Sequence, residues 1–123
     1  MNPLESAVVR IAEFLEQRGL PYMVFGALAV WVWGRVRATQ DVDFKVEAGD
    51  GRELLRACAA RFRLRTTDAE RFLAETRTIP LLAEIGEGFR APVDLVLASL
   101  PYESAAIRRA RDIEIGGRNV SAE

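Results

Sequence analysis

The sequence predicts an α/β (or α+β) fold in which one mixed β-sheet is flanked by helices. Three observations carry that expectation. Apolar residues recur at helical intervals in two well-separated stretches, and short apolar or strictly alternating runs suited to strands stand between and after them. The third is length: 123 residues make a single domain of residues 1–123, and a half-hydrophobic composition can fill its core.

The elements follow in order. Leu4, Ala7, Val8, Ile11, Ala12, Phe14 and Leu15 share one helical face, with Glu5, Arg10, Glu13 and Glu16 largely opposite, and Gly19 and Pro21 stop the helix. Tyr22-Met23-Val24-Phe25 is an apolar strand ending at Gly26. Residues 27–33 suit an apolar helix, Gly34 ends it, and residues 35–40 form a polar connector. Asp41-Val42-Asp43-Phe44-Lys45-Val46 then alternates with a period of two, so a strand here buries Val42, Phe44 and Val46 and presents Asp41, Asp43 and Lys45 on its other face.

After a turn at residues 48–51, Leu54, Leu55, Cys58, Ala59 and Phe62 mark a second amphipathic helix through about Arg61. Residues 62–66 alternate like a half-exposed strand, Asp68 opens a short helix, and residues 78–85 read as extended. Pro80 makes that last segment an edge strand or one that starts at the proline, because proline cannot donate to a ladder. A turn at residues 86–88 leads to a strand over 92–98, a helix over 99–110 with Pro101 near its start, and a hairpin around Gly116-Gly117.

Composition excludes several chemistries. Seventeen basic against eighteen acidic residues create no global field for nucleic acid or an anionic membrane. A single cysteine, Cys58, allows no internal disulfide and reads as core filler. Without histidine, His/Cys zinc sites and Ser-His-Asp or Cys-His catalysis fall away, leaving carboxylates suited to a hard cation such as magnesium or manganese. No eighteen-residue apolar stretch and no basic, cleavable leader is present, so the expectation is a cytoplasmic protein without a membrane partner.

The chemistry points to three acids. Asp94 lies inside the apolar run Val93-Asp94-Leu95-Val96-Leu97, where a carboxylate needs a partner or a cation. If its strand lies beside that of Asp41 and Asp43, the three carboxylates converge, and divalent metal relieves their repulsion. Upstream, Gly26 lets backbone amides at a helix start approach phosphate oxygens, and Arg35, Arg37 and Thr39 are placed to reach the same phosphates.

Gly26 with its flanking strand and helix, then Gly34, Arg37, Thr39, Asp41-Val42-Asp43-Phe44 and Val93-Asp94-Leu95-Val96 together resemble the nucleotidyltransferase-fold superfamily, most closely its minimal AbiEii-like and uncharacterised prokaryotic members. The resemblance runs from Tyr22 to the carboxyl terminus, where such proteins continue with a lysine-bearing helix; the stop after Glu123 reads as a minimal form or a truncated chain. It implies a nucleotidyltransferase-like mixed sheet and transfer of a nucleoside monophosphate from a nucleoside triphosphate to an acceptor hydroxyl on protein, RNA or a small molecule. It also implies a toxin–antitoxin setting with a cognate partner protein. By this resemblance Asp41, Asp43 and Asp94 bind two Mg2+ ions, Mn2+ being an alternative. Asp94 also helps to deprotonate the acceptor, and Gly26, Ala27, Arg37 and Thr39 bind the nucleotide. Ala27 departs from the family's usual glycine or serine, which removes a hydroxyl contact and keeps the backbone ones. The competing expectation is therefore a non-catalytic nucleotide-binding or interaction module on the same fold.

Each residue also has a plainer role to weigh. Asp94 can instead pair with Arg77 or Arg90, and Lys45 can balance charge or simply be solvated. Arg37 and Thr39 can be turn residues, and Trp31 and Trp33, two apart on one helix, cannot both face the core. Arg108, Arg109 and Arg111 suit a solvated face better than an RNA contact. A haloacid-dehalogenase-type phosphatase also uses two aspartates at this spacing, but polar residues precede Asp41 here and Lys45 follows Asp43 by two. A nucleotide-sugar glycosyltransferase needs a larger domain.

Overall fold

The computed structural model describes residues 3–25, 42–84, 88 and 90–122. The expected helix over residues 27–33 with both tryptophans, the connector, and the expected site residues Gly26, Ala27, Arg37, Thr39 and Asp41 lie outside the described residues. Within them the chain adopts the expected mixed α/β class. Helix α1 (Pro3–Gln17) precedes β1 (Tyr22–Phe25) and β2 (Val42–Val46). Helix α2 (Arg52–Arg61), the two-residue β3 (Arg63–Leu64), helix α3 (Ala69–Thr76), β4 (Thr78–Glu84) and β5 (Arg90–Leu97) follow. Helix α4 (Pro101–Arg109) and the hairpin of β6 (Arg111–Ile115) and β7 (Arg118–Ala122) complete the order.

The strands form one mixed sheet in the order β3-β4-β5-β2-β1-β7-β6. The central pair, β2 and β5, is parallel, β1 and β7 are parallel, and the remaining neighbours are antiparallel. Alternation sorts the faces. Val24, Val42, Phe44, Val46, Ile79, Leu81, Val93, Leu95 and Leu97 are all at most 2% exposed and join the apolar stripe of α1, with Leu54, Leu55 and Cys58 of α2, in one core. The opposite face is covered in part by α4, and Met23 and Ile107 are buried outside the main core cluster. At the far side, Arg118 of β7 reaches Glu13 at 3.3 Å and Glu16 at 2.8 Å, joining the hairpin to α1. Among the described residues no helix is long and apolar enough to cross a membrane.

One expectation about strand placement is corrected. The strand containing Pro80 starts at Thr78 and lies one place inside the edge, between β3 and β5. The proline is tolerated because its carbonyl, accepting the Arg65 N–H at 2.9 Å, points toward β3. In an antiparallel strand a residue's N–H and C=O point the same way, so the missing donor also faces that short outer strand and not β5. The outer strands are small or charged: β3 has two residues, and β6 exposes Arg111, Asp112 and Glu114.

Gly51 fixes the entry to α2. It sits at the N-cap with φ +80°, and a Cβ there would stand 2.5 Å from Leu97 Cδ1 and 3.3 Å from Leu73 Cδ1. Gly51→Ala therefore combines backbone strain with overpacking of a closed core, and is expected to lower stability by about 2 kcal/mol, read as a lower urea midpoint at unchanged slope. Cys58 is fully buried in α2, and burial pushes its thiol up to about 12. A thiol reagent at pH 8 is expected to label Cys58 only after denaturant is added.

Candidate active site

The parallel register of β2 and β5 pairs Val42 with Val93, Asp43 with Asp94, and Phe44 with Leu95. Because side chains alternate in both strands, packing Val42, Phe44, Val93 and Leu95 into the core sends Asp43 and Asp94 to the opposite face as direct neighbours, with backbones about 4.8 Å apart. The row extends on both sides, since Phe25 of β1 pairs with Asp43 and Pro80 of β4 pairs with Asp94. Both acids are half-buried. Two of the three acids expected to meet thus stand side by side, and Asp41 lies outside the described residues.

Asp94 has a partner that sequence reasoning did not identify. Arg65, just beyond β3, donates from its guanidinium to Asp94 Oδ1, with side chains 28% and 27% exposed. The expected partners are engaged elsewhere: Arg90 pairs with Glu84 at 3.4 Å, and Arg77 Nη2 lies 3.5 Å from the Gly49 carbonyl oxygen. The alternation of residues 62–66 gave the face of Arg65 but not its neighbours, which depend on strand order. An ion pair this open contributes at most about 1 kcal/mol, enough to orient the carboxylate without locking it.

Lys45, two residues along from Asp43 on the same face, balances charge as one of its two expected roles, but with Glu103. Its ammonium donates to Glu103 Oε2 and lies 5.2 Å from the Phe25 ring centroid. Glu103 Oε1 accepts from the Ser99 N–H at 3.1 Å, the Ser99 hydroxyl at 3.2 Å and the Leu100 N–H at 3.0 Å. This carboxylate therefore caps α4 and ties it to β2. The signal was present in the sequence, since Glu103 follows Pro101 in the first turn, where an acidic side chain reaches back to free amides. Of the arginine cluster, Arg108 lies 3.7 Å from Glu47 and Arg109 and Arg111 are exposed, so it forms a solvated face.

No protein-family model matches the sequence, and no curated protein does. Solved structures do. An antigenic nucleotidyltransferase-like protein from Paracoccidioides brasiliensis superposes with a TM-score of 0.63 at 18% identity, over 98% of this chain and 60% of that one. The chain has a nucleotidyltransferase-like fold. The antibiotic-resistance factor ANT(2'')-Ia superposes with a TM-score of 0.59 at 23% identity, over 98% of this chain and 64% of its own length. A CCA-adding enzyme in complex with ATP gives 0.56 at 20% identity, over 98% and 28%. The chain spans less than two-thirds of the length of each of these proteins.

The donor chemistry fits the cation expected from sequence. Asp43 and Asp94 offer carboxylate oxygens without imidazole or thiolate, a set suited to Mg2+ or Mn2+. Among the described residues no group of three or more His, Cys, Asp or Glu is placed to hold a metal ion.

The Lys45–Glu103 link gives a pH test. The hydrogen bond from Lys45, opposed by burial and helped by the Ser99 and Leu100 amides, holds the Glu103 carboxyl down at about 2. A folded-state value below the unfolded one, about 4.3, contributes stability at neutral pH that is lost as the carboxylate is protonated. Glu103→Gln is expected to lower the urea midpoint at pH 7. The gap to the wild type should narrow below roughly pH 5 and close near pH 2.

Proposed function

We propose that this chain is a magnesium-dependent nucleotidyltransferase that moves a nucleoside monophosphate from a nucleoside triphosphate to an acceptor hydroxyl. The single observation that carries this function is the in-register neighbourhood of Asp43 and Asp94 on one face of a nucleotidyltransferase-like sheet. In the reaction, the acceptor oxygen attacks the α-phosphorus in line, a new P–O bond forms, and the bond to the bridging oxygen breaks to release pyrophosphate. Asp94 accepts the hydrogen bond of the acceptor hydroxyl, aligns it and takes up its proton. Asp41, Asp43 and Asp94 would hold two Mg2+ ions, or Mn2+, which when bound stabilise charge on the attacking and leaving oxygens.

Gly26 and Ala27 through their amides, Arg37 through paired N–H donors and Thr39 through its hydroxyl bind the phosphates, an assignment supported by the sequence resemblance. The CCA-adding enzyme among the similar structures is a complex with ATP, which supports a nucleoside triphosphate as donor. A protein, RNA or small-molecule acceptor, and a toxin–antitoxin setting with a cognate partner protein, rest on the sequence resemblance.

Calorimetry with a non-hydrolysable triphosphate tests the site. Binding is expected to require Mg2+ and to weaken more than about tenfold in Asp43→Asn and in Asp94→Asn. Transfer of label from an α-labelled triphosphate to protein, RNA or a small molecule in a lysate then identifies the acceptor. Metal-indifferent binding without transfer would instead support a non-catalytic nucleotide-binding module.

A further inference from the structure

We infer that Arg65 is a resident counter-cation at the acid pair, held on Asp94, and that a divalent metal binds by displacing its guanidinium from that carboxylate. The inference rests on the proposed function, in which Asp94 is a metal ligand. Arg65 continues the ladder in which Arg63 faces Leu82 and Leu64 faces Leu81, and its N–H donates to the Pro80 carbonyl at 2.9 Å. Pro80 is in turn the cross-strand partner of Asp94. Arg65, Pro80, Asp94 and Asp43 therefore lie in one row across four neighbouring positions of the sheet, all on the same face. The arginine spans the proline to reach Oδ1 of Asp94.

Two features make this contact one that yields. The pair retains about a quarter of its exposure, so solvent already competes with it. A guanidinium and a dication on one carboxylate also repel each other, and the carboxylate interacts more strongly with the doubly charged ion. The arginine thus neutralises part of the acid pair until metal arrives, at the cost of metal affinity. Backbone anchorage at Pro80 keeps it within reach.

The test is Mn2+ binding to the full chain without nucleotide, read from the electron paramagnetic resonance signal of free Mn2+. Removing the positive charge in Arg65→Gln is expected to tighten Mn2+ binding about tenfold. Arg65→Lys, which keeps the charge without the planar fork, should fall between it and the wild type. In an Asp94→Asn background Arg65→Gln should give no gain. Unchanged or weaker Mn2+ binding in Arg65→Gln, with binding still dependent on Asp43 and Asp94, would overturn the displacement alone. Mn2+ binding that survives both Asp43→Asn and Asp94→Asn would remove the acid pair as the metal site, and the displacement with it. In the unaltered chain the Arg65 guanidinium resonance should shift with added Mg2+ in step with binding, and a resonance that stays in place during binding also overturns the displacement.

Discussion

The arrangement of the acid pair depends on the apolar register of β2 against β5. Val42, Phe44 and Val46 face the core beside Val93, Leu95 and Leu97, all at most 2% exposed. Turning either strand over would expose three such side chains, at roughly 1.5–3 kcal/mol each. Against this stands the repulsion of two neighbouring carboxylates, about 1–3 kcal/mol at 5 Å for effective dielectrics between water and a protein surface. Hydrocarbon burial wins by a clear margin. It holds two carboxylates together on the other face, where Arg65 already offsets part of the charge of Asp94.

Basic groups approach this row from different sides with different commitments. Arg65 comes from just beyond β3 and contacts Asp94 directly, whereas Lys45, though adjacent along β2, is held by Glu103. Glu103 also satisfies the amides that open α4, so one carboxylate serves the helix start and the sheet face together. The position of α4 over β2 is thereby coupled to the strand that carries Asp43.

Much of this was legible locally. The period of two over residues 42–46 gave the buried face and the acidic one of β2, the apolar run around Asp94 gave a strand with one carboxylate inside it, and the hairpin glycines Gly116 and Gly117 do adopt positive φ values of 57° and 80°. What could not be read was adjacency. Pro80 reads as an edge residue until two residues of β3 are seen beyond it. The partner of Asp94 is an arginine 29 positions away whose approach exists only once three strands are ordered. Glu103 could be read as a helix-start acid from its position after Pro101, but its bond to Lys45 spans 58 positions and emerges only with the packing of α4. Gly26, Ala27, Arg37, Thr39 and Asp41 lie outside the described residues, so the phosphate contacts proposed for Gly26, Ala27, Arg37 and Thr39 rest on the sequence resemblance.

The margins of the sheet have a consequence for solution behaviour. A strand border with free amides and carbonyls invites a second chain to add to it. Here one border is only two residues long, at Arg63 and Leu64, and the other carries Arg111, Asp112 and Glu114 in open solvent. An incoming strand would find only a two-residue outer strand at the first, and would have to accommodate a file of mixed charges at the second. Growth of the described sheet into continuous ribbons is thereby disfavoured at both of its outer strands.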